Sequence, residues 1–220
     1  MPPSRTTSLT WESPMARKSA APAAPSTAKE LKDLLWKSAD KLRGSMDASQ
    51  YKDVVLGLVF LKYVSDAFEE RQEQIWDELM SEGYGEDAIA EAMEDRDEYL
   101  GSQVFWVPPE ARWSFLAANA KGTPLRSTGE IVDFAMARLM EENKALAGTL
   151  PRVFNRESVD ARRLAELIDL FNGARFTGDG ATKARDLLGE VYEYFLEKFA
   201  SAEGKRGGEF YTPAGVVRVL

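Results

Sequence analysis

The residues best suited to chemistry lie near the carboxyl-terminal end of the chain, in Lys205-Arg206-Gly207-Gly208-Glu209-Phe210-Tyr211-Thr212-Pro213-Ala214. Thr212 stands in N-cap position ahead of Pro213, which suits the first helical turn, and an apolar stripe begins at Val216. The first N–H groups of a helix lack internal partners and carry about half a unit of positive partial charge, so a carboxylate or phosphate can satisfy them. Gly207 and Gly208 permit close backbone approach, and Phe210 or Tyr211 can stack on a ring. Residue chemistry leaves two readings open. The Thr-Pro pair is a plain helix cap, its commoner use, or it is a helix entrance that holds a small anionic or zwitterionic group. Lys205 and Arg206 are equally open between phosphate contacts and ordinary surface cations.

Other constellations offer less. The sequence contains no His and no Cys, which removes the commonest general base, Ser-His triads, thiolate metal sites and disulfides. Glu190, Glu193 and Glu197 recur at helical spacing and suggest an acid/base pair or a metal site, but a solvated face opposite a Leu188/Tyr192/Phe195 stripe explains them more simply. Gly178-Asp179-Gly180 reads as a turn between helices, and Trp36 as a core residue of an amphipathic helix. No metal site is expected.

The elements that must position the terminal motif are helical. Thr27-Ala28-Lys29-Glu30 has the spacing of a capping box, followed by Leu31, Leu34, Leu35, Ala39 and Leu42 at helical period, with Gly44 as the stop. Asp47 caps a second helix, carried to Glu82 and Gly83. Its Val54–Leu61 stretch is apolar on every face, so it must be surrounded by other helices, while its later turns emerge into solvent. Glu86–Met93 is a short acidic helix, and 103–107 is extended before Pro108-Pro109 as an edge or irregular segment. Further helices are predicted at 109–119, at 129–147 with Gly148 as the stop, from a Ser158 cap through Phe171, and at 181–202. The fold class is mainly α, a helical bundle around a central hydrophobic helix.

At 220 residues with 44% hydrophobic content, one domain of about 150–180 residues plus a tail is expected. Residues 1–26 hold five of the ten prolines and read as a disordered Pro/Ala/Ser-rich tail, within which Met15 is an alternative start. The net charge of −8 is unevenly spread: from Asp66 to Glu98 fourteen acids face only Arg71 and Arg96, leaving 22 acids and 26 bases elsewhere. Such a run is a solvated face, or else it repels nucleic acid or binds a basic partner. The longest apolar run, Val54–Leu61, is too short for a membrane span, and with no Cys the expected location is cytoplasmic, away from membranes.

Gly208-Glu209-Phe210-Tyr211-Thr212-Pro213 resembles the first S-adenosylmethionine-binding motif of the N6-adenine DNA methyltransferases. The run Leu35-Trp36-Lys37-Ser38-Ala39-Asp40-Lys41-Leu42-Arg43-Gly44, continued through Tyr51, Gly57, Lys62, Ser65, Asp66 and Glu69, resembles the N-terminal helical domain of the modification (M) subunits of type I restriction-modification systems. With Asp186–Tyr194 the resemblance covers roughly residues 28–220. It implies a helical domain at 27–204 and, at 205–220, the truncated start of a methyltransferase domain. Glu209, Phe210, Tyr211, Thr212, Pro213 and Ala214 would bind S-adenosyl-L-methionine, and the catalytic Asn-Pro-Pro-aromatic motif would lie beyond Leu220; for Lys205 and Arg206 a DNA-backbone contact and an ordinary surface position stay equally open. The complete subunit would methylate adenine N6 on a flipped base, with DNA, a specificity (S) subunit and a restriction (R) subunit as partners. These residues alone would be inactive. The competing reading is a stand-alone helical protein–protein interaction module.

Overall fold

An eight-residue stretch without a polar face has to be enclosed, and it is. Val54–Leu61 lies in helix α2 (Ala48–Glu82, 35 residues), where Val54, Val55, Leu58, Val59 and Leu61 are at most 1% exposed. The computed structural model describes residues 27–43, 46, 48–176 and 181–203. Around α2 pack α1 (Ala28–Leu42), α5 (Trp113–Ala118), α7 (Ala161–Asn172) and α8 (Ala181–Glu203). Helices α3 (Glu86–Met93) and α4 (Asp97–Leu100) return along its later turns, and α6 (Thr128–Glu142) packs on α7. Each enclosed Leu or Val is worth about 1.5–3 kcal/mol, so the bundle is held chiefly by the helix that most needs covering.

The starts of α1 and α6 are chemically alike. Thr27 Oγ1 accepts from Glu30 N at 3.3 Å while Glu30 Oε2 accepts from Thr27 N at 3.1 Å. Ser127 and Glu130 repeat the arrangement at 3.2 and 2.7 Å. Both boxes use two otherwise orphaned donors reciprocally.

Several boundaries depart from the periodicity. The helix expected at 109–119 is a 3₁₀ turn, Pro109–Ala111, then extended Arg112, then α5. Arg112 is drawn out of helical conformation by Glu94, whose carboxylate it meets at 2.9 and 3.1 Å, and by the carbonyl of Val107 at 3.2 Å. Helix α6 stops at Glu142, short of Gly148, because the Asn143 side chain accepts from Trp106 N at 3.2 Å and donates to Trp106 O at 2.9 Å. That amide serves the irregular 104–108 segment as a strand neighbour would, and no strand occurs among the described residues. Helix α7 is capped by Asp160, which accepts from Arg163 N at 2.9 Å, and not by Ser158. Helix α4, unforeseen in the sequence, is held by Tyr99, stacked on Phe68 at 4.4 Å and edge-on to Trp106 at 5.2 Å. Gly44 and Asp47 lie outside the described residues.

On α8 the inward stripe is Val191 and Phe195, whereas Tyr192, expected inside, is 43% exposed. Glu190, Glu193 and Glu197 are exposed, and Glu190 meets Lys32 at 2.6 Å. Trp36 is only half-buried, with the Arg43 guanidinium 5.0 Å above its ring. The acidic residues Glu73, Asp77, Glu78, Glu82, Glu86 and Asp87 all face solvent at the far end of α2.

Candidate functional site

The expected ligand-binding residues Glu209, Phe210, Tyr211, Thr212, Pro213 and Ala214, and the basic pair Lys205 and Arg206, lie outside the described residues, as does Gly178-Asp179-Gly180. What the structure places is the helix that leads to them. Near the end of α8, Phe199 meets Tyr51 edge-on at 5.6 Å, and Lys52 Nζ is 5.8 Å from the same ring. Helix α8 therefore closes beside the first turns of α2. The acidic tip lies at the other end of α2, about 45 Å away at 1.5 Å per residue.

A buried polar node holds the segment that leaves α7. Lys62 and Asp66, one turn apart on α2, form an ion pair at 5% and 4% exposure. The second carboxylate oxygen of Asp66 accepts from Phe176 N at 2.9 Å, which fastens the connection between α7 and α8 to the middle of α2. Burial pushes the Asp66 carboxyl above the usual range, and the Lys62 ammonium, the Phe176 N–H and Arg175 draw it back. Next to it, Ser65 Oγ accepts from Trp113 N at 2.7 Å, Trp113 Nε1 donates to Asn172 Oδ1 at 3.2 Å, and Lys62 Nζ sits 5.7 Å from the Trp113 ring. These groups are partnered and enclosed, so the node positions helices and performs no reaction. Its signature was visible in sequence as a Lys and an Asp at i and i+4 inside an otherwise apolar stretch.

A second arrangement lies near the α8 end. Residues 150–160 cross the bundle as a loop whose anchor is Phe154, 1% exposed. Glycines admit it: a Cβ on Gly57 of α2 would come within 2.9 Å of Phe154 Cζ, and one on Gly129 of α6 within 2.2 Å of Phe154 O. The Asp133 carboxylate accepts from Phe154 N and Asn155 N, each at 3.1 Å. Between this loop and the start of α2 is a cleft of about 220 Å³ lined by Gln50, Asp53, Val54, Val153, Arg156, Ser158 and Val159. The lining combines three valines with a guanidinium, a carboxylate, an amide and a hydroxyl.

No group of three or more acidic residues among the described residues could hold a metal ion. None of the described helices is long and apolar enough to cross a membrane.

Comparison with known proteins bears on both halves of the chain. Residues 31–171 match the HsdM N-terminal domain, and residues 183–220 match the N-6 DNA methylases. The type I restriction enzyme MjaIX methylase subunit of Methanocaldococcus jannaschii is 39% identical over 197 residues, which is 87% of this chain and 34% of that protein. The HindI methylase subunit of Haemophilus influenzae is 35% identical over 129 residues, 52% of this chain and 29% of that protein. Among solved structures, the type I restriction-modification methyltransferase subunit of Streptococcus thermophilus shares the fold with a TM-score of 0.61 at 24% identity, covering 88% of this chain and 43% of that one. The chain spans about a third of the length of the curated relatives it matches.

Proposed function

The chain belongs to the HsdM N-terminal domain family, and on that premise we propose that it is the amino-terminal part of the modification subunit of a type I restriction-modification system. Residues 27–204 are its helical domain and 205–220 the first segment of its methyltransferase domain, preceded by a Pro/Ala/Ser-rich tail at 1–26. The observation that carries this reading is the double role of α8. The N-6 DNA methylase match begins at residue 183, inside α8, while α8 itself packs on α1 and α2. One rigid helix therefore belongs to the bundle and also leads into the methylase segment.

In the complete subunit, S-adenosyl-L-methionine supplies the methyl group that is transferred to adenine N6 in DNA. Glu209, Phe210, Tyr211, Thr212, Pro213 and Ala214 bind this cofactor, with Thr212 and Pro213 at its methionine end and Phe210 and Tyr211 around them: a Thr-Pro helix start suits a carboxylate, and the aromatic pair suits apolar walls. Lys205 and Arg206 lie along the DNA backbone. No catalytic residue is assigned within these 220 residues. The helical domain contacts DNA and the specificity subunit, and the restriction subunit joins the larger complex, all in the cytoplasm.

The test is methyl transfer by the complete subunit together with its specificity subunit, using labelled S-adenosylmethionine and duplex DNA. Label recovered as N6-methyladenine is the expected result. A complex that assembles but transfers no methyl to adenine would overturn the enzymatic reading and leave the interaction-module alternative in its place.

A further inference from the structure

We infer that the cleft between the start of α2 and the 153–159 loop receives a nucleic-acid phosphate, with Arg156 as its charged group. This deepens the reading above and rests on its proposal that the helical domain contacts DNA.

The charge of Arg156 is uncommitted. Arg71, Arg96, Arg112, Arg138, Arg162 and Arg175 form ion pairs with acids, whereas Arg156, like Arg126, Arg152 and Arg163, forms none among the described residues, and of these four it is Arg156 that lines the cleft. Its backbone is also held in place. The preceding residues are fastened by buried Phe154 and by Asp133, and Val159 N donates to Arg156 O at 2.9 Å, closing the turn. A guanidinium on a fixed stem has less freedom to lose when it binds a phosphate through its planar fork.

The surroundings suit the same ligand. Gln50 and Ser158 line the cleft with groups able to donate, over the apolar side chains of Val54, Val153 and Val159. Charge-assisted hydrogen bonds to phosphate strengthen beside apolar side chains. Asp53 lies on the same wall, but its half-exposed carboxylate has Lys52 Nζ at 4.0 Å to offset it. The acidic tip does not interfere: it is about 45 Å along α2 by helical rise, several times the screening length of about 8 Å at physiological salt.

The experiment titrates the 220-residue chain into a fluorescently labelled duplex and reads anisotropy at several salt concentrations between about 50 and 200 mM. We compare wild type, Arg156→Ala, Arg156→Lys and, as a surface control, Arg162→Ala. Losing one phosphate contact should weaken binding roughly tenfold at the lowest salt and reduce the log–log salt slope by about 0.9, equally on duplexes of unrelated sequence. Arg156→Lys should recover most of the slope, and Arg162→Ala should change neither quantity. An unchanged melting temperature in Arg156→Ala shows that a contact was lost and not the fold. Wild-type binding that Arg156→Ala leaves intact in affinity and slope overturns this inference alone. Absence of duplex binding by the wild type overturns it together with the DNA-contact role of the helical domain, while methyl transfer by the complete complex is a separate readout. Loss confined to one duplex sequence would mark Arg156 as a base contact and overturn the phosphate assignment.

Discussion

Replacing Lys62 by methionine removes one charge from the centre of the bundle while keeping an unbranched side chain of similar reach. Lys62 and Asp66 are 5% and 4% exposed, so neither charge can turn to water when its partner is removed. Deleting one member of a buried pair costs about 3–5 kcal/mol, whereas replacing both together is often close to neutral. Asp66 keeps the hydrogen bond from Phe176 N at 2.9 Å, which places the expected loss toward the lower end of that range. At about 2–4 °C per kcal/mol for a domain of this size, a loss of about 3 kcal/mol should lower the melting temperature by roughly 6–12 °C. The pH dependence is the sharper test. Burial already raises the Asp66 carboxyl, and Lys62 is the strongest influence holding it down, so the substitution lets it rise further. A carboxyl whose folded-state pKa lies above its unfolded one destabilises the fold fully above the folded value, and the penalty lifts as pH falls through that value. The gap between wild type and Lys62→Met, measured by urea unfolding, should therefore narrow as pH is lowered from neutrality. Adding Asp66→Asn, which can still accept from Phe176 N, should recover at least half the loss. A cost below about 1 kcal/mol, or a gap that widens on acidification, would refute the assignment of this pair as the bundle's buried anchor.

The two glycines at the Phe154 anchor should rank in a definite order. Gly129→Ala sets a Cβ 2.2 Å from a backbone oxygen and should cost about 3 kcal/mol or more, while Gly57→Ala meets only side-chain atoms at 2.9 and 3.0 Å and should cost about 1 kcal/mol. Thermal melts giving the reverse order would show that the loop moves more readily than α2. At the α6 capping box, Ser127→Ala should cost about 1 kcal/mol by chemical denaturation. The Ser127 backbone N–H, followed by its side chain, lowers the pKa of Glu130. A depressed folded-state pKa gives stability that is present above the ordinary glutamate range and lost as pH falls through the folded value, so Glu130→Gln should flatten the acid limb of the pH–stability curve.

Local rules made much of the bundle legible. The Thr27 box, the extent of α2 and the short acidic α3 all follow from capping chemistry and apolar period. What failed were boundaries decided by distant partners. Asn143 ends α6 because Trp106 occupies its side chain, and Arg112 is extended because Glu94, on a different element, claims its guanidinium. Tyr192 fits the helical stripe of α8 as well as Val191 does, and only the placement of α1 and α2 decides which of them is covered. The cleft beside Arg156 had no local signature at all, since it joins residues about a hundred positions apart that are brought together by Phe154 packing against Gly57.

The length of α2 resolves an apparent conflict in the charge pattern. A protein with a net charge of −8 is a poor candidate for contact with DNA if that charge acts as one field. Screening limits each exposed charge to a range of about 8 Å at physiological salt, so what matters is the local balance at the contacting surface. Helix α2 carries the acidic residues to one end and receives α8 and the Arg156 loop at the other, about 45 Å apart by helical rise. The charge of the whole chain therefore says little about the end that leads into the methylase segment, where Lys52 offsets Asp53 and Arg156 lines the cleft.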